Sequence, residues 1–185
     1  PVKSDMGISD VQFSLLQGAA FIFPVFVSGI LSGFLADRIS RKVILLGGLT
    51  LWAVATIASG FVETFNEFVI ARALLGLGKG SLVPVAVTLV THNFPPSQRG
   101  KALGIFFVGV SIGPGAGISI AGALYESFQG LQLAGHALLF GVAPWRAVFL
   151  VLSLPAALLI ALLYWVKEAR GGMHDADVAN SPTAG

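Results

Sequence analysis

Five long apolar runs constrain this chain more than any other feature of its sequence. An α-helix needs about 20 consecutive apolar residues to cross the hydrocarbon core of a bilayer. Runs of this length take up most of the 185 residues. They cover residues 11–35, 43–62, 67–91, 102–125 and 145–166. The sequence therefore predicts an all-α integral membrane protein with five transmembrane helices.

The composition supports the same class and excludes others. Hydrophobic residues make up 55% of the chain and charged residues only 11%, whereas about a quarter of the residues of a soluble domain are charged. The net charge is +2, but the basic residues form no stripe along one predicted face, so we expect no nucleic-acid partner. The chain has no cysteine, which excludes disulfides. We also expect no metal and no cofactor.

Local signals mark where the spans begin and what lies between them. Ser9 with Gln12, and Thr64 with Glu67, form capping boxes before the first and third spans. Residues 126–144 are mildly apolar and broken by glycines, which predicts a loop with a short interfacial helix. Residues 167–185 are polar and predict a disordered linker. Pro1 is not a start residue, so we expect a piece of a longer protein.

Lysine and arginine are distributed unequally between the two ends of the predicted spans. Cytoplasmic loops of membrane proteins are enriched in these residues. One side carries only Lys3 and Arg146. The other side carries Arg38, Arg41, Lys42, Arg99, Lys101, Lys167 and Arg170. We therefore expect residue 1 on the external side and the C-terminal tail in the cytoplasm.

Two cations, Arg72 and Lys79, lie inside the third span. At 1.5 Å per residue, they lie roughly 8 Å and 18 Å from Glu67, and a spacing of seven residues places both on one face. An intramembrane charge costs about 2.5 kcal/mol or more, and marks a solute or ion pathway by default. For Arg72, an ion pair or a carbonyl contact that fixes helix packing is an equal alternative. Neither cation has an evident acidic partner among the visible spans.

Small residues recur at four-residue spacing in three spans. Such faces let helix backbones approach closely in lipid, and for most of these glycines tight packing is the favoured interpretation. Pro114 differs, because it removes a helix hydrogen bond and is expected to kink its span. The recurring glycines are Gly29 and Gly33; Gly76 and Gly80; and Gly109, Gly113 and Gly117.

Two short patterns resemble catalytic motifs without their context. The stretch GLGKGS, residues 76–81, lacks the first glycine and the Ser or Thr that a phosphate-binding loop requires. The stretch GVSIG, residues 109–113, matches a serine nucleophile pattern, but no His or Asp is evidently placed to activate Ser111. We therefore expect no enzymatic activity.

Three motifs together resemble the major facilitator superfamily of transporters. Residues 33–42, GFLADRISRK, are similar to its G-x-L-A-D-R-x-G-R-K signature, with Ser40 in place of the usual glycine. Residues 72–80 resemble its fourth-helix motif. Residues 109–117 resemble its fifth-helix G-x-x-x-G-P-x-x-G-G motif, with Ile118 in place of the last glycine. All three occur in the expected order.

The finer pattern is most similar to the spinster-like branch of that superfamily. The similarity covers nearly the whole chain except the tail, and includes GISDVQFSLLQG, NFPPSQRGKALGIF and PWRAVFLVLSLPAALLIALLYWVKEARGG. In that branch an acidic residue is common where Lys79 stands here.

The resemblance implies that the spans are helices two to six of a twelve-helix fold. Residues 1–10 would be the external end of the loop between helices one and two. Residues 11–166 would belong to the N-terminal six-helix bundle, and residues 167–185 would begin the cytoplasmic linker. The first helix and the C-terminal half of the same transporter would then complete the protein.

The resemblance further implies a secondary active transporter in the cell membrane that works by alternating access. Its partners would be the lipid bilayer, a small organic solute that is anionic or amphiphilic, and a coupling ion, a proton or another. Arg72 and Lys79 would line the cavity. The cytoplasmic gate motif would comprise Gly33, Asp37, Arg38, Arg41, Lys42 and Arg99. The alternatives are an organic-anion symporter of the anion/cation symporter branch and a non-transporting scaffold or receptor.

Overall fold

The computed structural model describes residues 2–36, 38–135 and 141–165. These residues form helices joined by short turns. The helices are α1 (Val2–Met6), α2 (Asp10–Gln17), α3 (Ala19–Ala36), α4 (Arg41–Ser59), α5 (Phe65–Gly80), α6 (Leu82–Asn93), α7 (Pro96–Leu133), α8 (Pro144–Leu152) and α9 (Leu154–Trp165).

Five helical segments are long and apolar enough to span a membrane, which confirms the predicted all-α membrane class. The first span joins α2 and α3, the second is α4, the third joins α5 and α6, the fourth is α7, and the fifth joins α8 and α9. Their bounds are Asp10–Ala36, Arg41–Ser59, Phe65–Asn93, Pro96–Leu133 and Pro144–Trp165.

The fourth span is longer than the predicted range of residues 102–125. Residues 126–133, expected in a loop with a short interfacial helix, instead continue α7. Gly130 is the only strong helix breaker in this stretch, and one glycine costs a helix only about 1 kcal/mol. The helix ends before Gly135, whose φ of 80° is left-handed and suits glycine. The predicted linker at 167–185 lies outside the described residues.

Both predicted capping boxes are confirmed. The Ser9 hydroxyl accepts a hydrogen bond from the Gln12 backbone N–H at 3.2 Å, and the Gln12 side chain accepts one from the Ser9 N–H at 2.9 Å. Thr64 and Glu67 form the same reciprocal pair, at 3.3 and 3.2 Å. Each box satisfies backbone donors that the first turn of a helix leaves without partners.

Prolines interrupt two of the spans. The third span breaks at Ser81, three residues before Pro84, and the fifth breaks at Ser153, two residues before Pro155. Proline has no N–H to donate to the carbonyl four residues earlier, and its ring crowds that carbonyl. Each span is therefore two shorter helices in succession.

Helix α5 lies between α3 and α4 and packs along both of them. Helix α9 packs on α4, and α8 packs on α7. A buried cluster closes the end of the bundle that carries α1, which we call the α1 end; a smaller one lies toward the opposite end. The α1-end cluster comprises Ile8, Leu16, Val62, Phe68, Ala71 and Trp145, and the other comprises Ile44, Leu45 and Val85.

Candidate functional site

Two glycines bring the backbone of α5 against its neighbours on both sides. A Cβ atom added at Gly76 would lie 2.5 Å from the carbonyl oxygen of Phe21 on α3. A Cβ added at Gly78 would lie 2.6 Å from the carbonyl oxygen of Gly48 and from the backbone nitrogen of Trp52, both on α4. These positions require glycine because any side chain would overlap the neighbouring main chain. Close contact of this kind holds membrane helices together.

One turn further along α5, Gly80 makes a similar approach to α3. A Cβ added at Gly80 would overlap the carbonyl oxygen of Val25 and lie 2.9 Å from the Cβ of Ser28. The Ser28 hydroxyl donates a hydrogen bond to the carbonyl oxygen of Leu77. This contact and the glycines fix α5 against α3, and with it the two cations that α5 carries.

Arg72 is held by aromatic rings. Its guanidinium carbon lies 4.9 Å from the centre of the Phe68 ring and 5.6 Å from that of Phe149 on α8. Both distances are within the range of a cation–π interaction. The buried Nε atom has no hydrogen-bond partner among the described residues, and no described carboxylate forms an ion pair with Arg72. The positive charge is therefore neutralised by no group in the described part of the chain.

A third aromatic residue, Trp145, packs against both rings that hold Arg72. Ring centres lie 6.0 Å apart for Phe68 and Trp145, and 6.1 Å apart for Trp145 and Phe149. Phe68 and Phe149 themselves lie 6.3 Å apart, edge to face. Such tilted and edge-to-face pairs are the favoured geometries for aromatic side chains. We call Phe68, Trp145 and Phe149 the aromatic triangle; it joins the third and fifth spans.

Lys79 is exposed, and its ammonium nitrogen lies 5.4 Å from the centre of the Phe21 ring on α3. No ion pair or hydrogen bond involves its side chain in the described ranges. Helix α5 is continuous from Arg72 to Lys79. Seven residues of α-helix make almost two turns, so the two cations lie on one side of α5, about 10 Å apart along its axis.

The described residues of the predicted gate lie at the end of the bundle opposite α1, and the structure brings only some of them into contacts. Gly33 and Arg38 are exposed, and Asp37 lies outside the described residues. The Lys42 ammonium donates a hydrogen bond to the carbonyl oxygen of Tyr164, in the last turn of α9, at 3.0 Å. This contact ties the start of the second span to the end of the fifth.

Two other arginines of the predicted gate take no part in the contact between Lys42 and Tyr164. The Nε atom of Arg99 donates to the carbonyl oxygen of Phe94 at 3.0 Å, across the turn between α6 and α7. The Nε atom of Arg41 is buried and has no hydrogen-bond partner within the described ranges. Arg99 therefore stabilises the turn between α6 and α7.

The glycines of α7 differ from those of α5. A Cβ added at Gly109, Gly113 or Gly117 would meet no described atom within 4 Å. Helix α7 contains no buried residue and is continuous through Pro114. This face is thus free of contacts with the described part of the chain.

Ser111, on the same helix, is not arranged as a nucleophile. Its hydroxyl donates a hydrogen bond to the carbonyl oxygen of Phe107 at 2.8 Å, one turn earlier in α7. The serine nucleophile motif instead requires a sharp turn between a strand and a helix.

Comparison with known protein families decides the class. The sequence profile of the Major Facilitator Superfamily matches residues 1–179. The chain belongs to the Major Facilitator Superfamily. The resemblance seen in the three motifs is therefore confirmed. The superfamily signature of residues 33–42 begins in the last turn of α3 and ends in the first turn of α4, and the other two motifs lie in α5 and α7.

Within the superfamily the chain is spinster-like. It is 32% identical to protein spinster homolog 1 of Homo sapiens over 131 residues, which are 70% of this chain and 24% of that protein. It is 32% identical over 118 residues to the sphingosine-1-phosphate transporter SPNS2 of Mus musculus, covering 63% of this chain and 21% of that protein.

A solved structure agrees with the sequence relatives. A bacterial homologue of the human lysosomal transporter spinster, in an inward-facing and occupied conformation, superimposes with a TM-score of 0.79 at 27% identity. The match covers 98% of this chain and 42% of that one. The chain spans 19–40% of the length of the first curated relatives that it matches.

The aromatic partners of the cations are the part of the site that the motifs do not indicate. Phe68 lies four residues before Arg72, a spacing that places both on one helix face and is visible in the sequence. Phe149 and Phe21 come from other spans, and no sequence signal connects them to Arg72 or Lys79.

Proposed function

We propose that the chain forms helices two to six of a secondary active transporter that moves an organic solute by alternating access. The solute would be carried across a cell membrane with a proton or another ion as coupling partner. The α1 end would face outward, and the opposite end, with Arg41 and Lys42, would face the cytoplasm. The remaining helices of the transporter would complete the cavity.

The observation that carries this proposal is the pair of unneutralised cations on α5. Among the described residues, the guanidinium of Arg72 lies against two aromatic rings and the ammonium of Lys79 against one, and neither cation forms an ion pair. A positive charge within a membrane span is costly unless an anion or a polar group compensates it. A solute that carries an anionic group would supply that compensation while it is bound.

The rings beside the cations favour an anion with an apolar part. Phe21, Phe68 and Phe149 surround the charges with apolar surface. An anionic amphiphile would place its charged group at Arg72 or Lys79 and its apolar part along such rings. One relative is named a sphingosine-1-phosphate transporter, so sphingosine-1-phosphate is a suitable probe of this class.

We also propose that the motif of residues 33–42 acts as a cytoplasmic gate. Lys42 already joins the second span to the end of the fifth through the Tyr164 carbonyl. Gly33, Asp37, Arg38 and Arg41 would contact the other half of the transporter when the cytoplasmic side closes, with Arg99 holding the corner that leads into α7.

The test measures sphingosine-1-phosphate uptake by the full-length protein in proteoliposomes. Lys79→Ala and Arg72→Ala should each lower the uptake rate about tenfold or more, because each removes a cation that would pair with the anionic group of the bound solute and leaves that group unpaired. Lys101→Ala, at an exposed lysine of α7, is the matched control and should keep the wild-type rate. Wild-type uptake by both α5 variants would contradict the proposed site.

A second arm separates the alternatives. If the wild-type protein transports a water-soluble dicarboxylate such as succinate and does not transport sphingosine-1-phosphate, the organic-anion symporter interpretation replaces the amphiphile. If it binds either probe but moves neither across the membrane, a receptor function replaces transport.

A further inference from the structure

A hydrogen bond at the α1 end joins residues that are 140 positions apart. The indole N–H of Trp145, in the first turn of α8, donates to the carboxylate of Asp5, in α1, at 2.9 Å. Trp145 is only 5% exposed, whereas Asp5 is exposed. Bonds between an N–H donor and a carboxylate are among the stronger hydrogen bonds in proteins. The bond therefore fixes the orientation of a buried indole ring from the surface of the bundle.

The segment that carries Asp5 is itself docked on the first span. Lys3 and Asp10 form an ion pair at 2.6 Å, between α1 and the start of α2. Ile8, between the two helices, is buried in the α1-end cluster. The position of Asp5 thus reports whether this external segment is docked.

The bond can also open reversibly. Asp5 and Trp145 line an open cavity of about 350 Å³ together with Tyr125, Gln129 and Gln132. Water in an open cavity can take over the carboxylate, so separating the pair does not leave a buried charge without solvation.

The orientation of Trp145 matters to Arg72 because the aromatic triangle lies between them. Trp145 packs against Phe68 and Phe149, and these two rings are the described groups that hold the guanidinium. A rotation of the indole would remove the surface against which both rings pack. Close-packed interiors transmit such shifts instead of absorbing them.

We propose that Trp145 is a positioning residue for Arg72, and that the bond from Asp5 sets its orientation. The docked state of α1 would thereby control how the intramembrane cation is presented to the solute. This inference rests on the proposed function for its consequence in transport, but the positioning of Arg72 can be measured without any solute.

The first experiment measures that positioning directly in the full-length protein. Phenylglyoxal labels accessible arginine side chains, and mass spectrometry reads the labelling rate of Arg72. Asp5→Ala and Trp145→Phe should each change this rate about tenfold, because each removes the same charge-assisted bond. The double variant should change it no further. The labelling rate of Arg99 should stay constant in all of them.

Two conservative variants sharpen the result. Asp5→Asn keeps an oxygen that accepts the indole hydrogen bond, so it should restore the wild-type rate. Trp52→Phe, at a partly buried tryptophan of α4, is the matched control for loss of an indole and should leave Arg72 unchanged. An Arg72 labelling rate that is wild-type in both Asp5→Ala and Trp145→Phe would overturn the proposal, as would equal changes in Asp5→Ala and Asp5→Asn.

Uptake kinetics then separate this inference from the proposed function. Asp5→Ala should raise KM for sphingosine-1-phosphate and leave kcat near the wild-type value. A general loss of folding would instead lower the amount of active protein and leave KM unchanged. If the Arg72→Ala variant loses uptake while both Asp5→Ala and Trp145→Phe have wild-type KM and wild-type labelling, the proposed solute site stands and the role of Trp145 is refuted. If labelling shifts as expected but sphingosine-1-phosphate is not transported, only the proposed solute is wrong.

Discussion

Replacing Gly78 by alanine should weaken the contact between α5 and α4. The added Cβ would lie 2.6 Å from the Gly48 carbonyl oxygen and the Trp52 nitrogen, and 3.0 Å from the Trp52 Cα. All three are backbone atoms, so no side-chain rotation can make room. Ordinary contact begins near 3.4 Å, so the two helices would have to separate by about 0.8 Å at this point.

The expected cost follows from two opposing effects. Overfilling a well-packed contact costs about 1–3 kcal/mol. Alanine in place of glycine inside a helix regains about 0.5–1 kcal/mol, because the unfolded chain has less freedom to lose. We therefore expect Gly78→Ala to lower the free energy of unfolding by about 1 kcal/mol, with an upper bound of about 2.5 kcal/mol.

Gly47 provides the matched control, because it lies on α4 directly before Gly48 but a Cβ there would meet no described atom within 4 Å. Gly47→Ala should therefore raise the free energy of unfolding by about 0.5–1 kcal/mol, because it gains helix stability and meets no steric overlap. The assay is thermal unfolding of the full-length protein in one mild detergent, followed by near-UV circular dichroism. A Gly78→Ala variant that melts at or above the temperature of Gly47→Ala would refute the steric argument.

Two further predictions concern the ends of helices. Lys42→Met removes the hydrogen bond to the Tyr164 carbonyl and should lower the free energy of unfolding by about 0.5–1.5 kcal/mol in the same thermal assay. Lys101→Met, at an exposed position with no such bond to the described residues, should leave the free energy of unfolding unchanged. Equal melting of both variants would count against the tie between the spans. Thr64→Ala breaks the capping box with Glu67 and should cost about 1 kcal/mol. Thr64→Ser keeps the hydroxyl and should melt like the wild type; an equal loss in the serine variant would show that the methyl group, not the cap, matters.

The sequence predicted the features that depend on local rules. Apolar run length determined the number of spans, because a bilayer of fixed thickness sets how many apolar residues a helix must have. The Ser9 and Thr64 caps were visible because the interacting residues are three positions apart. The sequence predicted too early an end for α7. The composition of residues 126–133 permits both a loop and a helix, and the single Gly130 does not decide between them.

The surroundings of the cations could not be predicted in the same way. Helical spacing placed Arg72 and Lys79 on one side of α5, and it also relates Phe68 to Arg72. The packing of Phe149 against Arg72 depends on how α8 meets α5, and the bond between Asp5 and Trp145 depends on where α1 docks. Neither follows from the spacing of residues along the chain.

The glycine contacts of α5 have a consequence for entropy. A leucine buried at a helix interface loses about 0.5–1 kcal/mol of rotamer freedom on packing, whereas Gly76, Gly78 and Gly80 have no rotamers to lose. In a bilayer, lipid tails are as apolar as side chains and give little reason for helices to associate. Main-chain contact therefore gives α5 dispersion contacts with its two neighbours without that loss, and the helix that carries both cations is fixed in place at a small cost in side-chain entropy.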